Sequence, residues 1–195
     1  MARARGYTLV ELVLVLALIS VLALAAIPLA APSADRRLDA AAQEVIDALR
    51  YARIEALRTG TFYGADFSVD PATGQRRVRV FRIDPADTEI PPKPVYDVRH
   101  PLDKKLYDYQ LASGSATAGV SISAATLYYQ SGAATPVALD WAAFDAAGTP
   151  AYYPPDASNY AAYSDAPYVS AVTLTYQGRS VQVLLDPLTG RVTRE

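Results

Sequence analysis

The chain has 195 residues, a formal net charge of −2 at pH 7 and no cysteine. This length is enough for one domain that buries its own core. The lack of cysteine excludes disulfide bonds and thiol chemistry. A mildly acidic balance of charges is not typical of a general polyanion binder.

An uncharged apolar segment lies near the N-terminus. It comprises 20 residues from Leu12 to Ala31, and as a helix it extends ~30 Å, the thickness of the hydrocarbon core of a bilayer. Arg3 and Arg5 precede it, and basic flanks tend to stay in the cytoplasm. The sequence therefore predicts a single membrane span with the N-terminus inside and the residues from about Asp35 onward outside.

Glu11 stands at the start of this segment. A carboxylate at the centre of a membrane helix costs roughly 2.5–3.5 kcal/mol, and somewhat less near an edge, so it normally has a cationic partner. The nearby cations are the basic leader or, if the leader is removed, a newly exposed α-amino group.

The sequence from Gly6 to Leu12, GYTLVEL, resembles the class III signal of type IV prepilins and type II secretion pseudopilins. In that family a prepilin peptidase cuts after the Gly, the new N-terminus is methylated, and a Glu at the fifth mature position pairs with the terminal amine of a neighbouring subunit. The resemblance implies cleavage between Gly6 and Tyr7, methylation of Tyr7 where the family usually has Phe, and an assembly role for Glu11. Pro28 falls where these helices commonly carry a proline that bends or opens them.

Two alternatives to prepilin processing remain open for this segment. An ordinary secretory signal peptide also has a basic start and an apolar stretch, and Ala23-Leu24-Ala25 is compatible with its cleavage site. An unprocessed single-pass anchor is the second. The apolar run is too long for the signal peptide, and Glu11 is out of place at the entrance of such a peptide.

After the apolar segment, apolar residues recur at steps of three and four. They predict an amphipathic helix over about 36–59 that ends at Gly60, and their positions are Leu38, Ala42, Val45, Leu49, Ala52 and Ala56.

The remainder of the chain predicts antiparallel strands. Proline interrupts residues 84–115, where at most one short strand is expected. Residues 150–168 form a tyrosine-rich loop that either binds a partner or packs on its own sheet. The predicted strands are Thr61–Val69, Arg76–Ile83, Val120–Tyr129, Pro136–Phe144, Tyr168–Tyr176 and Arg179–Leu185.

Three further segments resemble the H-type minor pseudopilins (GspH) and the FimT-type minor pilins: Ala48–Gly60, Phe144–Gly148 and Thr189–Val192. Ile54 replaces the family's usual Ser. The resemblance implies a type IV pilin-like α+β fold, in which a long N-terminal helix, half transmembrane and half amphipathic, packs on antiparallel β-sheets. The implied domains are a cleaved leader (1–6), a transmembrane and assembly helix (7–31) and an extracytoplasmic pilin-like globular domain (32–195).

The function implied is structural. The chain would be a minor pilin or pseudopilin, anchored in the inner membrane with its globular domain in the periplasm and then built into a type IV pilus or type II secretion pseudopilus, near the filament tip and at the cell surface. The implied partners are other pilins or pseudopilins, the prepilin peptidase and the inner membrane. Glu11 would neutralise the N-terminal amine of the adjacent subunit.

The alternative is a DNA receptor for natural transformation, as in FimT-type proteins. Its candidate residues for binding double-stranded DNA are Arg179, Arg191 and Arg194. In the segment from Arg77 to Ile83, strict alternation predicts one basic face and one apolar face. That basic face could assist DNA binding, but a solvated sheet face is the favoured interpretation.

Few residues suggest catalysis. His100 is the single histidine and lies in a loop without a metal-ligand partner at suitable spacing. The segments 70–74 and 186–190 share the pattern Asp-Pro-x-Thr-Gly, which predicts a tight turn rather than a calcium loop. We therefore expect no enzyme activity, no catalytic residues, no metal and no cofactor.

Overall fold

The structure is a computed structural model, and it describes residues 8–30, 33–84, 86–87, 93–130, 135–151, 161–162 and 168–195. The chain divides into two compact units, Met1–Ser33 and Ala34–Glu195. The fold class is α+β, with an N-terminal helix and antiparallel sheet, as predicted.

The first unit contains helix α1, Leu9–Ala30. Its large apolar side chains from Leu9 to Leu22 are exposed. Within the described residues, no helix combines the length and the apolar character that crossing a membrane requires.

The second unit begins with helix α2, Ala34–Thr59, which confirms the predicted amphipathic helix. Gly60 ends it in the left-handed conformation, with φ of 68°, and its N–H donates to the Ala56 carbonyl at 2.9 Å. Glycine adopts this conformation without the steric cost of a Cβ. The buried face of α2 consists of Leu38, Ala41, Ala42, Val45, Ile46, Ala48, Leu49, Ala52 and Ala56.

Twelve strands are found among the described residues, and the pairings between them are antiparallel. They are β1 (Tyr63–Asp66), β2 (Val78–Ile83), β3 (Pro94–Val95), β4 (Asp108–Tyr109), β5 (Ser121–Gln130), β6 (Val137–Leu139), β7 (Trp141–Phe144), β8 (Pro150–Ala151), β9 (Ala161–Ala162), β10 (Ala171–Tyr176), β11 (Arg179–Leu185) and β12 (Val192–Arg194).

The strand order is β12-β11-β10-β5-β9-β8-β7-β1-β2-β3, with β4 also on β2 and β6 also on β5. β12 therefore lies at one end of this order, and β3 and β4 lie at the other. The apolar face of α2 joins residues from both ends in one core, in which the largest fully buried side chains are Tyr129, Phe67 and Phe144.

The single strand predicted over Pro136–Phe144 is wrong. The chain forms β6 and β7 instead, separated at Asp140, because β6 pairs with β5 and β7 pairs with β1. The Asp140 carbonyl accepts a hydrogen bond from the Phe67 N–H at 2.7 Å at this change of partner. Local alternation carries no information about which strand is the neighbour.

The strict alternation predicted from Arg77 to Ile83 is also wrong. Side chains two residues apart share a face of a strand, so Phe81 lies on the same face as Arg79, whereas Arg82 lies on the face of Val80. Phe81 and Ile83 pack with Ala143 in a small second cluster. This face of the sheet is therefore partly apolar rather than uniformly basic.

Other strands differ from the prediction in length and number. β1 is shorter than the predicted Thr61–Val69, and an isolated bridge joins Val69 to Arg76 beyond it. Residues 84–115 contribute β3 and β4 where at most one short strand was expected, and β12 was not predicted. Most of the tyrosine-rich loop 150–168 lies outside the described residues.

Candidate functional site

The first turn of α1 is fixed by Thr8. Its side-chain oxygen accepts a hydrogen bond from the Glu11 N–H at 3.3 Å, and its carbonyl accepts one from the Leu12 N–H at 3.2 Å. Thr8 is therefore the N-cap and Glu11 the third helical residue, which is the spacing of a capping box. The Glu11 carboxylate thus occupies the first turn, where the helix dipole favours negative charge.

Glu11 also borders an apolar surface. Together with Leu12, Val15 and Leu16 it lines a shallow groove of about 410 Å³ on α1. Leu9 and Leu22 remain 80% and 67% exposed, and extended exposed apolar surface marks a site of interaction. Capping explains a glutamate at this position, but it does not explain the apolar surface beside it.

The other predicted residues of this region are only partly described. Gly6 and Tyr7 lie outside the described residues. The α1 backbone continues through Pro28 to Ala30, whereas the Pro28 side chain lies outside the described part.

Two of the candidate DNA-binding arginines already have carboxylate partners. Arg179, at the start of β11, forms an ion pair with Asp35. Arg194, at the end of β12, pairs with Asp39 at 2.6 Å. The side chains of both pairs are well exposed, so each pair contributes little to stability.

Arg191 and Arg194 share a cleft of about 470 Å³, and Arg179 is not among the residues that line it. No carboxylate is found among the described residues that line this arginine cleft, which lies between α2 and β12. Its lining consists of Ile46, Arg50, Arg53, Gly190, Arg191, Val192, Thr193 and Arg194.

Arg53 joins three segments that are far apart in sequence. Its Nε donates to the Gly148 carbonyl at 2.9 Å, and its Nη1 donates to the Gly190 carbonyl at 3.4 Å. These bonds use neutral acceptors, so the positive charge of Arg53 is not compensated by them. Arg53 therefore links α2 to the turns at Gly148 and Gly190.

The arginines of β2 and its neighbourhood are engaged in ion pairs. Arg77 pairs with Asp70 and Asp108, and Arg82 pairs with Asp97.

Arg79 pairs with Asp66 at 2.6 Å, and the Tyr96 hydroxyl donates to the same carboxylate at 2.8 Å. The Arg79 guanidinium also lies over the Tyr96 ring. Because these arginines are locally neutralised, they favour the structural interpretation over a basic stripe for nucleic acid.

The comparison with known families matches the N-terminal segment. Residues 1–27 match the family described as the prokaryotic N-terminal methylation motif. The motif indicates a type IV pilin-like or pseudopilin protein. It thereby indicates a structural subunit rather than an enzyme. No curated protein and no solved structure matches the chain.

The two turns with the pattern Asp-Pro-x-Thr-Gly are each held by hydrogen bonds to their aspartate. In the turn after β11, the Asp186 carboxylate accepts hydrogen bonds from the N–H and the hydroxyl of Thr189 and from the Leu188 N–H, and these bonds lower the pKa of Asp186. In the earlier turn, the Asp70 carboxylate accepts a hydrogen bond from the Ala72 N–H. This bond and a second one from Arg77 lower the pKa of Asp70. Among the described residues, no cluster of His, Asp or Glu with metal-binding geometry is found.

Sequence reasoning missed Arg50 and Arg53 as members of the arginine cleft. Their spacing of three on α2 was the available signal, since residues three apart lie on neighbouring positions of a helix surface. The spacing could not predict the position of β12, which brings Arg191 and Arg194 to the same side of the helix.

Proposed function

We propose that this chain is a structural subunit of a type IV pilin-like filament: a minor pilin of a type IV pilus or a pseudopilin of a type II secretion system, located near the filament tip. The observation that carries the proposal is the methylation motif at residues 1–27. The exposed apolar surface of α1, with Glu11 in its first turn, supports it.

Processing precedes assembly in this proposal. The prepilin peptidase cuts between Gly6 and Tyr7, and the amine of Tyr7 is methylated. Residues 7–31 then anchor the subunit in the inner membrane with the N-terminus cytoplasmic, and residues 32–195 form the periplasmic domain. Pro28 provides the bend or local opening of the helix as the subunit joins the filament.

Glu11 acts as the assembly carboxylate. In the apolar interior of the filament it pairs with the Tyr7 amine of the adjacent subunit, and the pair fixes the axial register. A partner removed from a buried ion pair costs ~3–5 kcal/mol because the remaining charge is uncompensated. The apolar surface of α1 supplies most of the cohesion.

Glu11→Gln separates the assembly role from capping. Glutamine keeps the capping-box side chain but cannot neutralise an amine. We expect normal amounts of processed protein in the membrane and a loss of filament incorporation on the order of 100-fold, which corresponds to ~3 kcal/mol.

Ser20→Ala is the matched control, since Ser20 is a polar residue of α1 whose hydroxyl donates to the Leu16 carbonyl. The measurement is the ratio of subunit in sheared filaments to subunit in total membranes. Normal incorporation of Glu11→Gln would contradict the assembly role and leave helix capping as the role of Glu11.

The proximity of the three segments at Arg53 supports placing the chain with the H-type pseudopilins and FimT-type pilins. The three sequence patterns would then be needed for one set of contacts, since Arg53 binds the turn at Gly148 and the turn at Gly190.

DNA binding during natural transformation is the second candidate, and the arginine cleft is the observation that favours it. Arg191 and Arg194 lie there with Arg50 and Arg53, whereas Arg179 is held by Asp35. Binding to duplex DNA by this cleft should weaken steeply as salt increases. An Arg50→Ala and Arg191→Ala variant that binds duplex DNA as well as the wild type would eliminate this candidate.

A further inference from the structure

The exposed face of α2 changes from polar to apolar towards its C-terminal end. Gln43 and Asp47 come first, and the Gln43 amide donates to the Asp47 carboxylate at 2.7 Å. Arg50, Ile54 and Leu57 follow at steps of three and four, which keeps them on the same side of the helix. Ile54 and Leu57 are 58% and 51% exposed, although the opposite face of α2 already supplies the core. The core of the domain therefore does not account for these two side chains.

This end of α2 adjoins the arginine cleft. Ile54 follows Arg53, and a Cβ placed on Gly148 would be 2.8 Å from the Leu57 Cγ. The Gly148 carbonyl accepts the hydrogen bond from the Arg53 Nε. Leu188 is 82% exposed in the turn that Arg53 also contacts. Ile54, Leu57 and Leu188 thus form an apolar rim beside the cleft.

The cleft itself carries positive charge that lacks full compensation within the described part of the domain. Arg50 and Arg191 are exposed, and neither forms an ion pair with a residue that the structure describes. Arg53 donates to two carbonyls, and Arg194 pairs with Asp39. Guanidinium groups bind phosphate and carboxylate groups through paired hydrogen bonds, so the cleft suits an anionic ligand.

The apolar rim discriminates between the anionic ligands that suit the cleft. Duplex DNA would neutralise the arginines but would leave the rim in water. An anionic bilayer satisfies both, because its phosphate groups lie directly above an apolar layer. An acidic protein with apolar side chains could also cover both surfaces, but it would not be tethered to this domain. In the proposed function the bilayer is tethered, since α1 ends at Ala30 and α2 begins at Ala34, and a short tether raises the effective concentration.

We propose that the arginine cleft and its apolar rim bind the anionic lipid surface of the membrane in which the chain is anchored. The arginines bind lipid phosphates, and Ile54, Leu57 and Leu188 enter the boundary between headgroups and acyl chains. This inference rests on the membrane anchor of the proposed function and adds a resting state to it. The subunit leaves this docked state when it joins the filament.

Fluorescence quenching in the full chain tests the docking. The sequence has no cysteine, so one introduced cysteine can carry an NBD dye. Leu188→Cys places the dye on the rim, and Leu102→Cys, at a residue that is 86% exposed in another loop, is the matched control. Both chains are reconstituted in phosphatidylcholine vesicles with or without phosphatidylglycerol, and lipids spin-labelled on the acyl chain are the quencher. We expect strong quenching only for Leu188→Cys with phosphatidylglycerol at low salt.

Charge variants of the Leu188→Cys chain separate lipid recognition from insertion of the dye. Arg50→Glu and Arg191→Glu together should lower the ratio of docked to undocked domain on the order of 30-fold or more. Lys104→Glu and Lys105→Glu make the same change in net charge outside the cleft and should have little effect. A cationic lipid in place of phosphatidylglycerol should restore docking of the Arg→Glu chain, a result that damage to the fold cannot produce.

Ile54→Ser tests the apolar rim in the same chain. The loss of the apolar side chain should lower the ratio of docked to undocked domain by roughly fivefold, while urea unfolding of the domain stays unchanged because Ile54 is exposed. An unchanged ratio would contradict the part assigned to the rim.

Alkaline carbonate extraction of the same vesicles separates this inference from the function on which it rests. A chain that resists extraction but shows no quenching for Leu188→Cys would overturn the docking, leave the anchor intact and return the cleft to DNA or an acidic protein. Equal quenching with and without phosphatidylglycerol would overturn the recognition of anionic lipid. A chain that carbonate removes would contradict the anchor. Quenching before that extraction would still support the docking, and its absence would overturn the docking as well.

Discussion

The two regions of this molecule differ in what their sequences specify. The first 27 residues match a family motif, yet the described part of α1 has exposed apolar side chains. The unit Ala34–Glu195 buries an extensive core, but the family match does not extend to it. Function is thus indicated by the region without a core of its own.

The difference has a chemical origin. In the proposed role, a processing and assembly signal depends on particular residues, because the peptidase would recognise Gly6 and a single carboxylate, Glu11, would pair with an amine. A packed domain depends mainly on the pattern and volume of its apolar residues, which many sequences satisfy. The two regions should therefore respond differently to substitution.

Leu49→Ala should show the largest effect on the domain. Leu49 is 1% exposed in the core face of α2, and the loss of its side chain leaves a cavity that costs ~2–5 kcal/mol of unfolding free energy. Urea unfolding of the full chain in detergent measures it. Ile54→Ala, at an exposed position of the same helix, is the control, and processing at Gly6 should proceed normally in both variants.

Gly64→Ala should have a smaller effect in the same assay. A methyl group at Gly64 would overlap the Phe81 ring and the Ala142 carbonyl oxygen, so we expect a cost of ~1–3 kcal/mol. Gly74→Asn is the control, because Gly74 has open space around it and a φ of 68°, which asparagine tolerates. Equal stability of the two variants would show that the sheet moves away from the added methyl group.

Thr8→Ala should have the smallest effect, and it should be confined to α1. The loss of the N-cap costs the helix ~0.5–2 kcal/mol. Amide exchange at the Glu11 N–H in detergent should become faster, whereas Thr8→Ser should preserve protection. A change in the urea unfolding of the domain would contradict the separation of the two regions.

Much of the fold could be predicted from the sequence. The stripe on α2 and its end at Gly60 were predicted correctly, as was the hairpin of β10 and β11, because periodicity and turn chemistry are local. The division at Asp140 and the addition of β12 were not predicted, since both depend on which strand is the neighbour. The sequence already contains the change of faces, with Phe81 on the face of Arg79 and Arg82 on the face of Val80. The prediction of strict alternation overlooked this change.

The candidate sites divide in the same way. Glu11 is a candidate from the sequence alone because an isolated carboxylate at an apolar segment is conspicuous and costly. The arginine cleft was identified only in part, through Arg191 and Arg194, because its members come from α2 and β12 and their proximity is tertiary. Arg179 resembled them in sequence but is held at Asp35, outside the cleft.

The proposed assembly role requires that Glu11 serve a processed N-terminus. The intact mass and N-terminal sequence of the protein, extracted from membranes of its native host, report on that processing without any substitution. We predict a chain that begins at N-methylated Tyr7. A chain that begins near Ala26 or Ala31 would refute the assembly role, because Glu11 would then be part of a discarded signal peptide and the protein would be a secreted globular domain.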